Sequence, residues 1–201
     1  AYCQTAMGWL KDGDGFGDAS KDGYVSYCES HDEERMQYKC KKYGNGDLQT
    51  NTAARLARVA ENVAFNVLLN GSHMLWMWEE VGYDFSINSD LDHPNDYNES
   101  YRCSKKPRPE IRGYFTNANR VAAFTKCAQV ITLRTQLMPS VFEGNPSSVS
   151  VNSGSKLRKI QWGSNVFAAA NFDVTGNQAV TLPSGTWYDY LNGATKANGT
   201  Y

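Results

Sequence analysis

The chain has 201 residues, a formal net charge of −1, 20% charged residues and 41% hydrophobic ones. That balance supports a buried core. It gives no electrostatic basis for binding nucleic acid or an anionic membrane, which require a basic surplus. No apolar run approaches the roughly 18 residues that span a bilayer, so no membrane segment is expected in this chain.

Ala1-Tyr2-Cys3 is not a signal peptide, and Tyr201 follows a Gly-Thr pair that reads as a turn into a further strand. Both ends are expected to be cut from something longer. The cysteines, Cys3, Cys28, Cys40, Cys103 and Cys127, are widely spaced without a C-x-x-C pair, which argues against zinc. Residues 1–10 do not distinguish helix from loop. Lys11 to Gly23 is a Gly- and Asp-rich loop. Its spacing fails as a calcium loop, because Phe16 and Gly23 fall where oxygen donors are needed.

Tyr24 to Cys28 is an extended run that leads into Glu29, Ser30, His31, Asp32, Glu33, Glu34 and Arg35. By itself this is a strand followed by a charged turn. It is also the pattern of a parallel barrel strand that presents chemistry at its carboxyl end. Glu33 and Glu34 read as first-turn carboxylates of a following helix. A loop at 39–47 precedes a helix at about 53–69, capped by Thr50 or Thr52 and ended by Asn70-Gly71. Its apolar face comprises Leu56, Val59, Ala60, Val63 and Val67.

His73 to Trp78 is apolar on both faces, as in a strand within a parallel sheet, and Glu79-Glu80 follows directly. Strand, helix and strand thus repeat in barrel order. Asp84 to Tyr114 is a long Pro-punctuated loop of the kind that carries function. A second helix at about 120–137 presents Val121, Phe124, Ala128, Ile131 and Leu137, and Pro139 closes it. From Ser140 the texture becomes short alternating runs at 149–151, 157–162, 166–172, 179–182 and 187–191, separated by Gly, Asn and Pro. The expected organisation is one domain at 1–139 and an antiparallel β domain at 140–201.

The run V-S-Y-C-E-S-H-D-E-E-R-M-Q-Y-K at Val25 to Lys39 resembles the last conserved catalytic segment of the alpha-amylase superfamily, glycoside hydrolase family 13. It is most similar to a bacterial subgroup whose strand ends in E-S-H-D-E-E-R. Gly71 to Asn88 resembles the eighth strand and following loop of that subgroup. The family pattern G-x-P-x-x-Y-x-G-x-E keeps Gly71 and Glu80, with His73 for Pro, Trp76 for Tyr and Trp78 for Gly. Asn165 to Phe172 fits the family's C-terminal sandwich.

The resemblance implies an α/β fold: the C-terminal part of a TIM (β/α)8 barrel, strands seven and eight, followed by an incomplete antiparallel β-sandwich. It implies a retaining glycosidase acting on α-1,4-glucans, starch and maltooligosaccharides, through a nucleophile and a general acid. Those two carboxylates belong to segments upstream of residue 1, so this chain alone is expected to be inactive. By the motif, Asp32 is the third acid, which stabilises the transition state by binding sugar hydroxyls, and His31 bonds the same sugar. Neighbours in a regular strand face opposite ways, so both reach one ligand only if the strand breaks at Ser30 or His31. Among Trp76, Trp78, Tyr83 and Tyr97, the tryptophans read as core and Tyr83 as a substrate-stacking ring.

A family calcium ion draws its ligands largely from upstream segments, so no metal ligand and no cofactor is assigned here. The expected partner is an α-glucan oligo- or polysaccharide, and the expected location is extracytoplasmic. A transglycosylase or branching enzyme of the same family fits the same residues. A non-catalytic carbohydrate-binding module fits the missing carboxylates.

Overall fold

The computed structural model describes residues 25–150, 156–173, 176–197 and 199. The expectations for residues 1–10, and for the loop and failed calcium register at 11–23, lie outside these residues. The chain divides into two compact units. One comprises residues 27–64 and 73–128. The described part of the other comprises Val25, Ser26, residues 65–72 and the described residues from 129 onward. Sequence texture marked one boundary near 139, whereas contacts cut the chain at several points.

Asn51 starts the longest helix. Its side-chain carbonyl accepts from the Ala54 amide at 3.1 Å, satisfying one of the donors a helix start leaves unpaired. The cap is thus Asn51, not Thr50 or Thr52. With α1 at Met36–Tyr43, this helix is α2, Thr52–Val67. Its expected apolar stripe is buried, with Leu56 at 2%, Val59 at 3% and Val63 at 0% exposure. Burying each such side chain is worth about 1.5–3 kcal/mol. Strand β1, Val25–Ser26, and β2, Ser72–His73, are neighbours in a two-stranded sheet. Among the described residues the strands close no barrel.

The strand expected at His73–Trp78 keeps only its first residue. The Glu79 amide donates to Trp76 O at 2.9 Å, folding the run into a turn, and Trp78 adopts φ 68°. Gly82 is also left-handed, at φ 65°. A Cβ there would collide with Leu56 Cδ2 and approach Val59 Cγ2 at 3.1 Å, so the position requires glycine.

The later helix, α3, runs Ala118–Thr132, with Asn117 Oδ1 accepting from the Arg120 amide at 3.2 Å. It buries a different face from the expected one. Ala123, Cys127 and Val130 are 5%, 1% and 2% exposed, whereas Val121, Phe124 and Leu137 are 44%, 48% and 58% exposed. Arg120 sets this phase. Its guanidinium donates to Val81 O and Gly82 O, pairs with Asp84 at 3.3 Å and lies over the Tyr114 ring. The Tyr114 hydroxyl in turn donates to Asp84 Oδ1.

In the other unit, β3 (Ser148–Ser150), β4 (Leu157–Trp162) and β5 (Val166–Asn171) form an antiparallel sheet in that order. β6 (Thr186–Asp189) pairs with β7 (Ala194–Ala197), a strand that the sequence texture did not mark. The run at 179–182 forms only an isolated bridge at Thr181. Trp162 is 3% exposed, edge-on to Phe142, and its indole donates to Leu68 O at 2.7 Å. Arg134 donates to Val67 O at 2.7 Å and to Gly71 O at 3.2 Å, supplying donors to carbonyls at the end of α2.

Candidate functional site

After β1 the chain does not continue as a strand. It bends at residues 31–33, which frees His31 and Asp32 from strict alternation. Both side chains reach solvent, at 72% and 68% exposure, and His31 Nε2 lies 3.3 Å from Asp32 Oδ2. The turn is held from within. Ser30 is buried, and its hydroxyl accepts from the Asp32 amide at 3.1 Å.

Two further groups complete the site. The half-buried Trp76 ring stands 5.7 Å from the His31 ring, tilted by 45°. Arg102, from the long loop, donates through Nη2 to Asp32 O at 2.8 Å and to Asp32 Oδ1 at 3.2 Å. An imidazole, a carboxylate, a guanidinium and an indole face therefore meet at one exposed corner. That set can accept and donate hydrogen bonds beside an aromatic ring.

Beneath the corner lies a buried charge cluster. Arg35 Nη1 donates to Glu29 Oε2 at 3.0 Å, and Glu29 Oε1 accepts from the Met36 amide at 2.7 Å. Glu29 therefore serves the first amide of α1, the role expected of Glu33 or Glu34. Glu34 instead accepts from Ser86 Oγ at 2.5 Å and from the Ile87 amide at 3.0 Å, tying the motif to the long loop. Glu33 is exposed. The Arg35 guanidinium lies 5.0 Å from the Tyr83 ring centre and 5.9 Å from that of Trp76.

Glu79 is 4% exposed. Its Oε2 accepts from the Trp76 amide at 3.2 Å, and its Oε1 is buried with no hydrogen-bond partner among the described residues. Burial first, and then the charge of Glu29, push its carboxyl up to about 8. Burial also raises Glu29, opposed by Arg35.

Tyr83 is not a substrate platform. It is 1% exposed, its hydroxyl donates to Pro107 O at 2.8 Å, and it packs with Val81, Tyr114, Trp78 and Phe85. Its place just after an apolar run suggested a surface loop; the 84–114 segment folds back and covers it. The aromatic at the corner is the half-buried Trp76, and Tyr97, at 56% exposure, is the aromatic candidate open to solvent. No local signal marks Arg102, which reaches Asp32 across 70 residues of sequence.

Among the described residues, no group of His, Cys, Asp and Glu is arranged to hold a metal ion, and no helix is long and apolar enough to cross a membrane. No protein-family model matches the chain, and no curated protein matches its sequence.

Proposed function

We propose that this chain is the C-terminal part of an alpha-amylase-like retaining glycoside hydrolase acting on α-1,4-glucans. The observation that carries the reading is the exposed His31–Asp32 pair at a bend just beyond β1, beside the Trp76 ring. In this reading β1 and β2 are strands seven and eight of a (β/α)8 barrel, and the final strands belong to a β-sandwich. Asp32 accepts hydrogen bonds from sugar hydroxyls, and those bonds tighten as the ring flattens toward its oxocarbenium-like state. His31 bonds the same sugar, and Trp76 takes its apolar face. The nucleophile and general acid come from a preceding segment, so Asp32 supplies stabilisation and not bond-making.

The test is reducing-sugar release from starch by the full-length protein. Asp32→Asn is expected to lower kcat by about 10²–10³-fold, the range for losing one transition-state contact. His31→Ala is expected to lower kcat/KM less. Starch hydrolysis unaffected by Asp32→Asn overturns the assignment. Chromatography of the products separates hydrolysis from transfer to a second glucan.

A further inference from the structure

We infer that Asn45 is a modification site, at which the side-chain amide is converted to aspartate and isoaspartate through attack by the Gly46 backbone nitrogen. Water is the co-reactant. The inference does not depend on the role given to Asp32.

The chemistry favours an Asn followed by Gly, because the next backbone nitrogen must reach the Asn Cγ and a Cβ on that residue obstructs it. Three such pairs fall wholly within the described residues: Asn45-Gly46, Asn70-Gly71 and Asn192-Gly193. In each, the Gly nitrogen bonds to Cγ and gives up its proton, and Nδ2 leaves as ammonia. Water then opens the five-membered imide at one of its two carbonyls. Opening at Cγ gives aspartate, and opening at the main-chain carbonyl gives isoaspartate, whose backbone runs through the former side chain. The dipeptide is the same in all three pairs; the hydrogen bonds around it differ.

The Gly193 amide donates to Asp189 O at 2.7 Å, so the attacking nitrogen is already engaged. Asn192 Nδ2 donates to both carboxylate oxygens of Asp189, at 3.1 and 3.0 Å. That carboxylate also repels the oxyanion that forms on Asn192 as the nitrogen adds. Asn70 Nδ2 donates to Asn145 Oδ1 at 2.7 Å, and Gly71 O accepts from Arg134 Nη2 at 3.2 Å. There the side chain and the following peptide must both let go before Cγ can meet the nitrogen.

Asn45 lacks these restraints. It and Gly46 are exposed, and its side chain makes no capping bond to the turn at Gly46–Gln49. The Gly46 amide has no hydrogen-bond acceptor among the described residues. Asn45 O accepts from the Leu48 amide at a long 3.3 Å, which leaves both reacting groups untouched.

The two products differ in consequence. Aspartate keeps the backbone and places an acceptor beside the turn's unpaired amides. Isoaspartate adds one carbon to the backbone where there is little slack, since a Cβ on the neighbouring Gly44 would stand 2.8 Å from Leu48 Cβ. The longer chain pulls the Leu48 amide from Asn45 O and loosens the buried Leu48.

The test is incubation of the full-length protein in mildly alkaline buffer, native and in urea, followed by trypsin and mass spectrometry. Isoaspartate is measured by enzymatic methyl transfer. The three pairs fall on separate peptides, residues 43–55, 59–102 and 160–196, and fragment ions assign the residue within each. In the native protein Asn45 is expected to convert about tenfold faster than Asn70 or Asn192, the effect of one or two hydrogen bonds that must break first. In urea the three rates are expected to converge. An unconverted Asn45, equal or faster conversion of Asn70 or Asn192 in the native protein, or the same ranking in urea overturns the inference. Asn45→Asp is expected to leave the urea midpoint unchanged, whereas aged protein rich in isoaspartate exchanges the Leu48 amide hydrogen faster. Unchanged exchange overturns the loosening.

Discussion

Arg35 and Glu29 form an ion pair at 3.0 Å with only 4% and 2% of their side chains exposed. The pair brackets the exposed corner, one member on each side of His31 and Asp32. It is also part of the first turn of α1, because the same carboxylate takes the Met36 amide.

Removing one member strands a charge in the interior. Arg35→Met leaves the Glu29 carboxylate without its counter-ion, and loss of a buried partner typically costs about 3–5 kcal/mol. Urea unfolding is expected to show a loss of that size. A change below about 1 kcal/mol would mean that the pair behaves as a solvated surface bridge.

Glu79 gives stability a pH dependence. Its folded carboxyl binds a proton more tightly than the ordinary value of 4.5, having risen to about 8. The contribution is therefore complete below about 4.5 and is lost as pH climbs through about 8. The urea midpoint should fall across that interval, and Glu79→Gln, neutral at every pH, should flatten the fall. Parallel profiles for the two proteins would rule this out.

Trp78 separates backbone strain from packing. A side chain at left-handed φ costs roughly 1–2 kcal/mol, yet this indole packs 5.1 Å from the Tyr83 ring centre. Trp78 is only partly buried, so removing its ring costs less than the roughly 3–5 kcal/mol of a fully buried aromatic. Trp78→Gly and Trp78→Ala should both destabilise, with glycine the milder by roughly 1 kcal/mol because alanine retains the strain. Equal melting temperatures for the two variants would contradict the φ 68° assignment.

Lys106 organises the long loop. Its ammonium donates to Ile87 O, Ser89 O and Tyr101 O, each at 2.6 Å. Lys106→Met leaves those carbonyls without their donor, an expected loss of about 1–3 kcal/mol. Hydrogen exchange should quicken between residues 87 and 101, with α2 little changed. Uniform quickening over the whole chain would show that the lysine supports global stability instead.

What the sequence made readable was local. The α2 stripe follows from 3.6-residue periodicity, and its burial agrees. Adjacency in the chain also brought His31 and Asp32 together. The α3 phase was not readable, because Arg120 finds its carbonyl partners 38 and 39 residues away. Tyr83 was misplaced for a related reason, since the Pro107 carbonyl that receives its hydroxyl lies 24 residues downstream. The apolar run at 73–78 looked like a strand because periodicity cannot report a left-handed residue such as Trp78. Glu34 looked like a helix-terminal acid until the loop at 86–88 supplied its donors.

The bend that carries His31 and Asp32 is short and staked on both sides. Ser30 and Glu29 are buried before it, Arg35 is buried after it, and Arg102 grips the Asp32 carbonyl. The conformational entropy of that segment is surrendered when the protein folds, not when a ligand arrives. If the proposed sugar binds at this corner, it would meet a bend already held by these contacts, and less of each contact's free energy would go into ordering the host.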